Sequence, residues 1–219
     1  METLKEIIRV GDLCFDIGAN LGNKTQEMLD LGSSVLSIEP QENCYFHLKN
    51  RFIGNSNINI VNYGCGSSNR KDIMNISSSH TLSTMSDSFI KETTKERFTG
   101  TTWDEKKEIE LVTLDYLIDI YGVPRFCKID VEGYELEVLK GLTYPVEFIS
   151  LEFVPELKNS SFECIDYLLK IGEYVFNYSE GESGIFEFTN WLNSEDLIRY
   201  LSEKNDFKNS FGDIYAKKI

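Results

Sequence analysis

Hydrophobic and polar positions along the chain divide it into short apolar runs and longer segments of helical periodicity. Apolar runs at 13–17, 34–38, 57–63, 125–129 and 146–153 have the length of buried strands. Segments at 23–31, 43–52, 114–121 and 132–140 follow these runs and predict helices, two of them ending at Gly32 and Gly141. Alternating strands and helices predict an α/β fold, a mostly parallel sheet with helices on both faces.

The second half of the chain predicts further elements. Ser160 with Glu163 has the spacing of a capping box, as does Asn23 with Gln26 earlier in the chain, and Ser194 is expected to cap a helix through 201. Strands are predicted at 71–76, 108–112, 174–178, 185–189 and 213–217.

The stretch 67–107 is less regular, with a polar run of serines and threonines at 77–84 and many charges beyond it. A loop-rich segment of this size within a compact domain usually serves function. We therefore expect one domain over 1–219, with 67–107 forming a lid or an acceptor-binding excursion.

Charge and composition narrow the classes of function. The net charge is −14, from 22 basic and 36 acidic side chains, which disfavours nucleic acid and anionic membranes as partners. No window approaches the ~18 apolar residues of a membrane span. The five cysteines are scattered without a C-x-x-C pair, which argues against disulfides or a zinc site. We expect a cytoplasmic protein, with Cys14 and Cys127 in the core.

The first candidate for chemistry is the turn after the first strand, Asp16-Ile17-Gly18-Ala19-Asn20-Leu21-Gly22. Gly18 permits a tight turn, and Gly22 permits close approach to the start of the next helix, whose free amides favour an anionic group. Asp16 suggests that the ligand also carries an amine. The methionine end of S-adenosylmethionine has both groups, whereas the dinucleotide pattern G-x-G-x-x-G is absent. An ordinary glycine turn is the alternative.

Glu39 ends the second strand, 23 residues after Asp16, close to the offset expected within one βαβ unit. An acid at this point commonly accepts hydrogen bonds from both hydroxyls of a ribose. Asn62, Tyr63 and Gly64 follow the third strand and are expected near the adenine. Tyr63 either stacks on the base or packs in the core.

Four motifs occur in order along the chain, and together they resemble the FkbM family of class I S-adenosylmethionine-dependent methyltransferases. They lie at 15–22, 37–40, 112–115 and 128–141, the last reading Lys-Ile-Asp-Val-Glu-Gly-Tyr-Glu at its start. The resemblance covers about residues 10–155 and implies a Rossmann-like, seven-stranded, mostly parallel sheet with an antiparallel C-terminal strand. It also implies S-adenosylmethionine as cofactor, S-adenosylhomocysteine as product, and O-methylation of a sugar, glycan or small metabolite. The stretch 67–107 departs from the family pattern, so acceptor specificity is expected there.

Proton removal from an acceptor hydroxyl needs a base. Asp130, at the end of the fourth core strand, is the leading choice, and Lys128 would keep it ionised or orient the acceptor. A buried structural Lys128–Asp130 pair is the alternative. His80 is the second candidate base, unless it is simply an exposed loop histidine. Glu132 could contact the acceptor, whereas Glu135 is expected to be structural.

A metal-assisted variant would use Asp130 and Glu152, which end adjacent predicted strands and could share a magnesium ion. No dedicated ligand cluster is visible, so no metal is predicted, and Glu152 would instead bind a substrate hydroxyl or a buried donor. Three rival functions remain: a nicotinamide dehydrogenase, a non-catalytic scaffold with the methyltransferase fold, and a methyltransferase with a protein acceptor. The oligomeric state is open.

Overall fold

The computed structural model describes residues 2–204 and 210–219, and its ten strands form two sheets. The strands are β1 (Leu13–Ile17), β2 (Ser34–Ile38), β3 (Ile58–Val61), β4 (Gly64–Cys65), β5 (Arg70–Ile76), β6 (Glu105–Val112), β7 (Phe126–Ile129), β8 (Phe148–Phe153), β9 (Tyr174–Glu180) and β10 (Gly212–Lys218). The main sheet has seven strands in the order β3-β2-β1-β7-β8-β10-β9. Neighbouring strands from β3 to β8 are parallel, and β10 is antiparallel to both β8 and β9. This confirms the predicted sheet.

Eight helices and two short 3₁₀ turns complete the described fold. The helices are α1 (Glu2–Ile7), α2 (Asn23–Asp30), α3 (Glu42–Arg51), α4 (Asp87–Thr93), α5 (Leu114–Tyr121), α6 (Glu135–Leu139), α7 (Lys158–Ile171) and α8 (Ser194–Ser202), with 3₁₀ turns at His80–Leu82 and Pro155–Leu157.

Strand alternation divides the core between the two faces of the sheet. Phe15 and Cys127 point to the face covered by α5, α6, α7 and α8, and their neighbours Cys14 and Phe126 point to the face covered by α1 and α2. Both cysteines are fully buried, as expected. Asp16 and Lys128 share the α1–α2 face with Cys14 and Phe126, because side chains two residues apart on a strand point the same way.

The segment 67–107 is more regular than its composition suggested. It contains β5, a 3₁₀ turn, α4 and the start of β6, and β5 pairs antiparallel with β6 in a second sheet of order β4-β6-β5. The buried side of this pair carries Met74, Ile109 and Leu111, while the other side carries charged residues. The strands predicted at 71–76 and 108–112 are therefore confirmed as β5 and β6, although β6 already begins at Glu105.

Three predicted helix caps are wrong. Helix α2 is preceded by Gly22 in a left-handed conformation, and Asn23 is its first residue, with a side chain that accepts a hydrogen bond from Arg51. Helix α7 already begins at Lys158, because a 3₁₀ turn runs directly into it, so Ser160 lies inside the helix. Helix α8 is capped by Asn193 rather than Ser194: its side chain accepts from the Asp196 amide.

Two further predictions need correction. The segment 185–189 is not a strand: it runs beside the outer edge of β9, but only isolated hydrogen bonds tie it there, such as those from the Glu187 amide to the Tyr178 carbonyl and from the Phe188 amide to the Asn177 side chain. The helix predicted over 132–140 begins at Glu135. Glu132 and Gly133 have φ angles of 55° and 85°, left-handed values that exclude them from the helix.

Candidate active site

A cavity of about 260 Å³ lies at the carboxyl ends of β1, β2, β7 and β8, where open parallel sheets bind ligands. Nine residues predicted from the sequence line it, namely Gly18, Asn20, Glu39, Tyr63, Gly64, His80, Asp130, Glu132 and Glu152. The structure therefore brings most of the predicted site together. Asp16, Gly22, Asn62 and Lys128 lie outside the lining.

Two glycines shape the turn after β1, and at each of them neighbouring protein atoms fill the space that a side chain would need. Gly18 has φ 78°, and a Cβ there would lie 1.9 Å from the backbone oxygen of Asp130. The turn after β1 thus packs directly on the turn after β7. A Cβ on Gly22 would lie 2.6 Å from Leu48 and 2.7 Å from Phe52 on the α3 side. The expectation that Gly22 leaves room for a ligand is wrong, because this space is needed for helix packing.

Asp16 also differs from its predicted position. The residue is completely buried, and its Oδ2 accepts a hydrogen bond of 2.6 Å from the Thr25 hydroxyl, which also contacts Ser37. Burial raises the pKa of Asp16, and the positive charge of Lys128 opposes that shift. Asp16 and Lys128 lie opposite each other in the β1–β7 register. Asp16 therefore faces the interior on the α2 side of the sheet rather than the cavity.

Glu39 joins the two turns that follow β1 and β2. Its Oε2 accepts from the Asn20 amide at 2.8 Å, and its Oε1 accepts from the Gln41 amide at 2.7 Å. Burial raises the pKa of Glu39 to about 7, although these amides favour its charged form. Asn62 supports the same turn from below, because its side-chain amide donates to the carbonyls of Glu39 and Pro40.

The β3 side of the cavity is mainly apolar. Tyr63 both lines the cavity and packs against the main core, so its two predicted roles are compatible. Apolar side chains from both sheets extend this wall: Ile38, Cys65, Met74, Met85 and Ile109.

Asp130 faces the cavity from the end of β7 and is paired with Lys128. The Lys128 Nζ lies 2.6 Å from Asp130 Oδ2, and the lysine side chain is only 8% exposed. Burial lowers the pKa of Lys128, but the carboxylates of Asp130, Asp16 and Asp213 outweigh that effect and raise it. Lys128 is thus held as a cation beneath Asp130.

Glu132 and Glu152 complete a group of three carboxyls. Each of the two and Asp130 offers one oxygen, and the three oxygens lie within 4.8 Å of one another. Burial raises the pKa of both glutamates well above the usual range, and the neighbouring carboxylates raise it further. Such a group favours a bound cation, a shared proton or hydrogen bonds to hydroxyls.

Glu135 has a structural role, as expected. Its buried Oε1 accepts from the amides of Val131 and Gly133 at 3.2 Å and 3.1 Å. Burial raises its pKa to about 7. These bonds fix the turn that presents Asp130 and Glu132.

The segment after β5 covers one side of the cavity. His80 is exposed at the rim, and its carbonyl accepts from the Gln41 side chain, whose other end accepts from the Ser83 hydroxyl. Thr84 donates to the carbonyl of Glu132 at 2.7 Å. Sequence reasoning missed Gln41, Ser83, Tyr134 and Glu182 as lining residues. Gln41 and Tyr134 carried a signal, since Gln41 directly follows the Glu39-Pro40 strand end and Tyr134 belongs to the motif at 128–141.

Comparisons with known proteins agree with this architecture. The chain matches the model of the methyltransferase FkbM domain over residues 16–206. None of the curated protein sequences matches it. Within 2–204 and 210–219, no helix has the length and apolar character needed to cross a membrane.

Solved structures show the same fold at low sequence identity. Precorrin-6y C5,15-methyltransferase from Geobacter metallireducens GS-15 is 12% identical, with a TM-score of 0.53 over 99% of this chain and 87% of that chain. An rRNA methylase from Streptococcus thermophilus is 12% identical, with a TM-score of 0.48 over 100% and 93% of the two chains. The fold is the Rossmann-like fold of class I methyltransferases, and the chain belongs to the FkbM methyltransferase domain family.

Proposed function

We propose that the protein is an S-adenosylmethionine-dependent O-methyltransferase that acts on a hydroxyl of a sugar, a glycan or a small metabolite. The observation that carries the proposal is the cavity itself. Glu39 stands at one side of it and the Asp130–Lys128 pair at the other, both at carboxyl ends of parallel strands. The family implies the reaction, and these residues supply the groups that it needs.

The residues present fit the cofactor by their chemistry. Glu39 retains acceptor capacity for a ribose diol, because a carboxylate has about four lone-pair sites and the structure shows one amide donor on each oxygen. The apolar wall near Tyr63 and Ile38 suits a purine. The carboxyls of Asp130, Glu132 and Glu152 suit a sulfonium, which is a cation.

When bound, S-adenosylmethionine supplies an electrophilic methyl group. The chain must then orient the acceptor oxygen, exclude water and take up the hydroxyl proton. We assign proton uptake to Asp130, with Lys128 Nζ, 2.6 Å from its Oδ2, holding the carboxylate in place. Glu132 and Glu152 would accept hydrogen bonds from acceptor hydroxyls. His80 at the rim is the second candidate base.

A divalent cation is the alternative to a free carboxylate base. Oxygens of Asp130, Glu132 and Glu152 lie close enough to share one ion, and carboxylate oxygens are the ligands that Mg²⁺ prefers. In that case the carboxyls would bind the ion rather than the proton. Chelator treatment distinguishes the two readings.

The acceptor is expected to be neutral or cationic. Five acids line the cavity, namely Glu39, Asp130, Glu132, Glu152 and Glu182, and His80 is the one basic side chain among its lining residues. Such a lining disfavours phosphorylated acceptors and nucleic acid. We place the acceptor beside the segment 67–107, which forms the wall that differs from the family pattern.

The test is transfer of an isotopically labelled methyl group to a panel of neutral sugars, amino sugars, sugar phosphates and a protein mixture, with and without chelator. The proposal predicts a labelled methyl ether on a neutral or amine-bearing hydroxyl compound, stable to mild base. Label found only in protein or in base-labile esters would contradict it. Cofactor binding with no transfer to any acceptor would favour a non-catalytic scaffold.

A further inference from the structure

We propose that Glu182, in the turn after β9, binds the amino group of the cofactor's methionine portion, and that Asp16 does not. The inference rests on the proposed function, since it concerns the same cofactor. It reassigns the acid that the sequence placed beside the first glycine turn.

Asp16 is excluded by its surroundings. It has no exposed surface, and its Oδ2 is engaged by the Thr25 hydroxyl at 2.6 Å. Its register partner on β7 is Lys128, which is buried on the same face of the sheet. Asp16 does not line the cavity, whereas its neighbours Ile17 and Gly18 do. Asp16 is therefore a buried acceptor for Thr25 in the field of the Lys128 charge, and its Oδ1 has no hydrogen-bond partner among the described residues.

Glu182 lines the cavity although it comes from the outermost strand of the sheet. The chain turns directly after β9: the Ser183 amide donates to the Glu180 carbonyl at 3.1 Å, and Gly181 has a φ of 51°. The turn stands at the carboxyl end of β9, which is the same edge of the sheet at which the cavity lies.

The turn is fixed by contacts on three sides. The Gly181 amide donates to the Phe211 carbonyl at 2.7 Å, and the Gly184 carbonyl accepts from the Thr3 amide at 2.9 Å. Glu180 forms an ion pair with Lys204. The position of Glu182 is thus set before any ligand binds, which lowers the entropic cost of a contact.

An ion pair places Glu182 beside the glycine turn. The Lys24 Nζ lies 3.0 Å from Glu182 Oε2. Lys24 is the second residue of α2, and this helix begins directly after Gly22. The Glu182 side chain is 74% exposed, so a ligand in the cavity can reach it. Of the other lining acids, Glu39 binds two backbone amides and Asp130 binds Lys128, while Glu132 and Glu152 belong with Asp130 to the group of three carboxyls at the ends of β7 and β8. Glu182 is the lining acid whose ion pair ties it to the start of α2, beside the turn that should receive the methionine portion.

Comparing the affinities of two ligands distinguishes a contact between Glu182 and the amino group from a general effect on ligand binding. S-adenosylhomocysteine contains the amino-acid portion, and 5′-methylthioadenosine lacks it but keeps the nucleoside and the sulfur. By calorimetric titration, Glu182→Gln should weaken S-adenosylhomocysteine about threefold to tenfold, as expected for one exposed charged hydrogen bond. It should leave 5′-methylthioadenosine within twofold. Glu39→Gln should weaken both ligands alike, since the ribose is common to them.

The controls are Glu180→Gln, in the same turn but outside the cavity lining, and Asp16→Asn. Neither should change the ratio of the two affinities, and melting temperatures check that each variant folds. The inference would be overturned if folded Glu182→Gln left unchanged the ratio of the affinity for S-adenosylhomocysteine to that for 5′-methylthioadenosine. It would also be overturned if Asp16→Asn lowered this ratio. A wild-type protein that binds neither ligand would refute the proposed cofactor and this inference together. Wild-type binding of both, with an unchanged ratio in Glu182→Gln, would refute the inference alone.

Discussion

At the scale of single residues, the site depends on a few carboxyls with different environments. Glu39 is 2% exposed and bridges two turns, whereas Asp130 is partly open to the cavity and is paired with a buried lysine. Glu39 therefore joins two turns and is the residue that we propose to bind the ribose. Asp130 is the residue that we propose as the base.

Glu39→Ala should weaken S-adenosylhomocysteine by roughly 1–3 kcal/mol and also lower the melting temperature, because the amides of Asn20 and Gln41 lose their acceptor. Calorimetry and thermal unfolding measure the two effects. Glu42→Ala is the matched control, an exposed acid three residues along that pairs with Lys107. Equal effects of the two substitutions would contradict the role of Glu39.

Asp130→Asn should retain cofactor affinity within about threefold and reduce methyl transfer at least tenfold, because a neutral amide cannot accept the hydroxyl proton. Steady-state rates with an acceptor identified from the panel measure this. Unchanged turnover in Asp130→Asn would remove Asp130 from the reaction.

Glu39 and Asp130 were predictable because each directly follows a buried strand, and the carboxyl ends of parallel strands meet at one edge. Asp16 and Lys128 were harder, since they lie one pleat inside the strand ends and point to the α1–α2 face. Glu182 had no sequence signal. It lies in the turn after β9, the outermost strand of the sheet, and only the tertiary fold brings it to the cavity.

At the scale of elements, the segment 67–107 is fastened to the main sheet by specific contacts. Arg97 forms two hydrogen bonds with Glu156, at 2.8 Å and 3.1 Å, and donates a third to the Ser210 carbonyl. Its side chain is 8% exposed and that of Glu156 is 6% exposed. Phe89 of α4 packs against Gly133, where a Cβ would lie 2.8 Å from it.

Arg97→Met should destabilise the protein by about 3 kcal/mol or more, because it leaves the Glu156 carboxylate buried without its partner. Hydrogen exchange should increase most in 87–103, and urea unfolding gives the stability. Lys71→Met, which breaks the exposed pair with Glu108, is the control and should cost less than about 1 kcal/mol. Equal losses for the two variants would show that the buried pair does not anchor the segment.

Elements with clear periodicity were predicted well, and those defined by tertiary packing were not. The cores of β1, β2 and β7 stand out as apolar runs, and α5 has both its cap and its apolar face in the sequence. Helix α6 starts late because Glu135 binds the amides of the preceding turn, which no local pattern shows. Strand β5 was predicted, but its pairing with a longer β6 was not.

At the scale of the whole molecule, the main electrostatic feature is the excess of acidic side chains. The net charge of −14 and the buried acids act in the same direction, since both disfavour further loss of protons from the folded state. Burial raises the pKa of Glu39 and Glu135 to about 7, whereas an unfolded glutamate titrates near 4.3. The folded protein therefore binds more protons than the unfolded chain between these values.

The free energy of unfolding should consequently fall as the pH rises from about 4.5 to 7, and it should then level off. Each of these groups contributes a fall of up to about 2 kcal/mol between pH 5.5 and 7. Urea unfolding across this range measures the slope. Glu135→Gln keeps an oxygen for the amides of Val131 and Gly133 but cannot ionise, so it should flatten the curve. A stability that rises with pH over this interval would contradict the assigned protonation.

Binding of S-adenosylmethionine in the cavity can be measured by calorimetric titration of the chelator-treated protein. S-adenosylmethionine and S-adenosylhomocysteine are the ligands, and NAD is the control, because a dehydrogenase would share the strand-end acid Glu39. We expect micromolar binding of both sulfur ligands and no binding of NAD. Binding of NAD, or failure of both sulfur ligands to bind, would contradict this expectation.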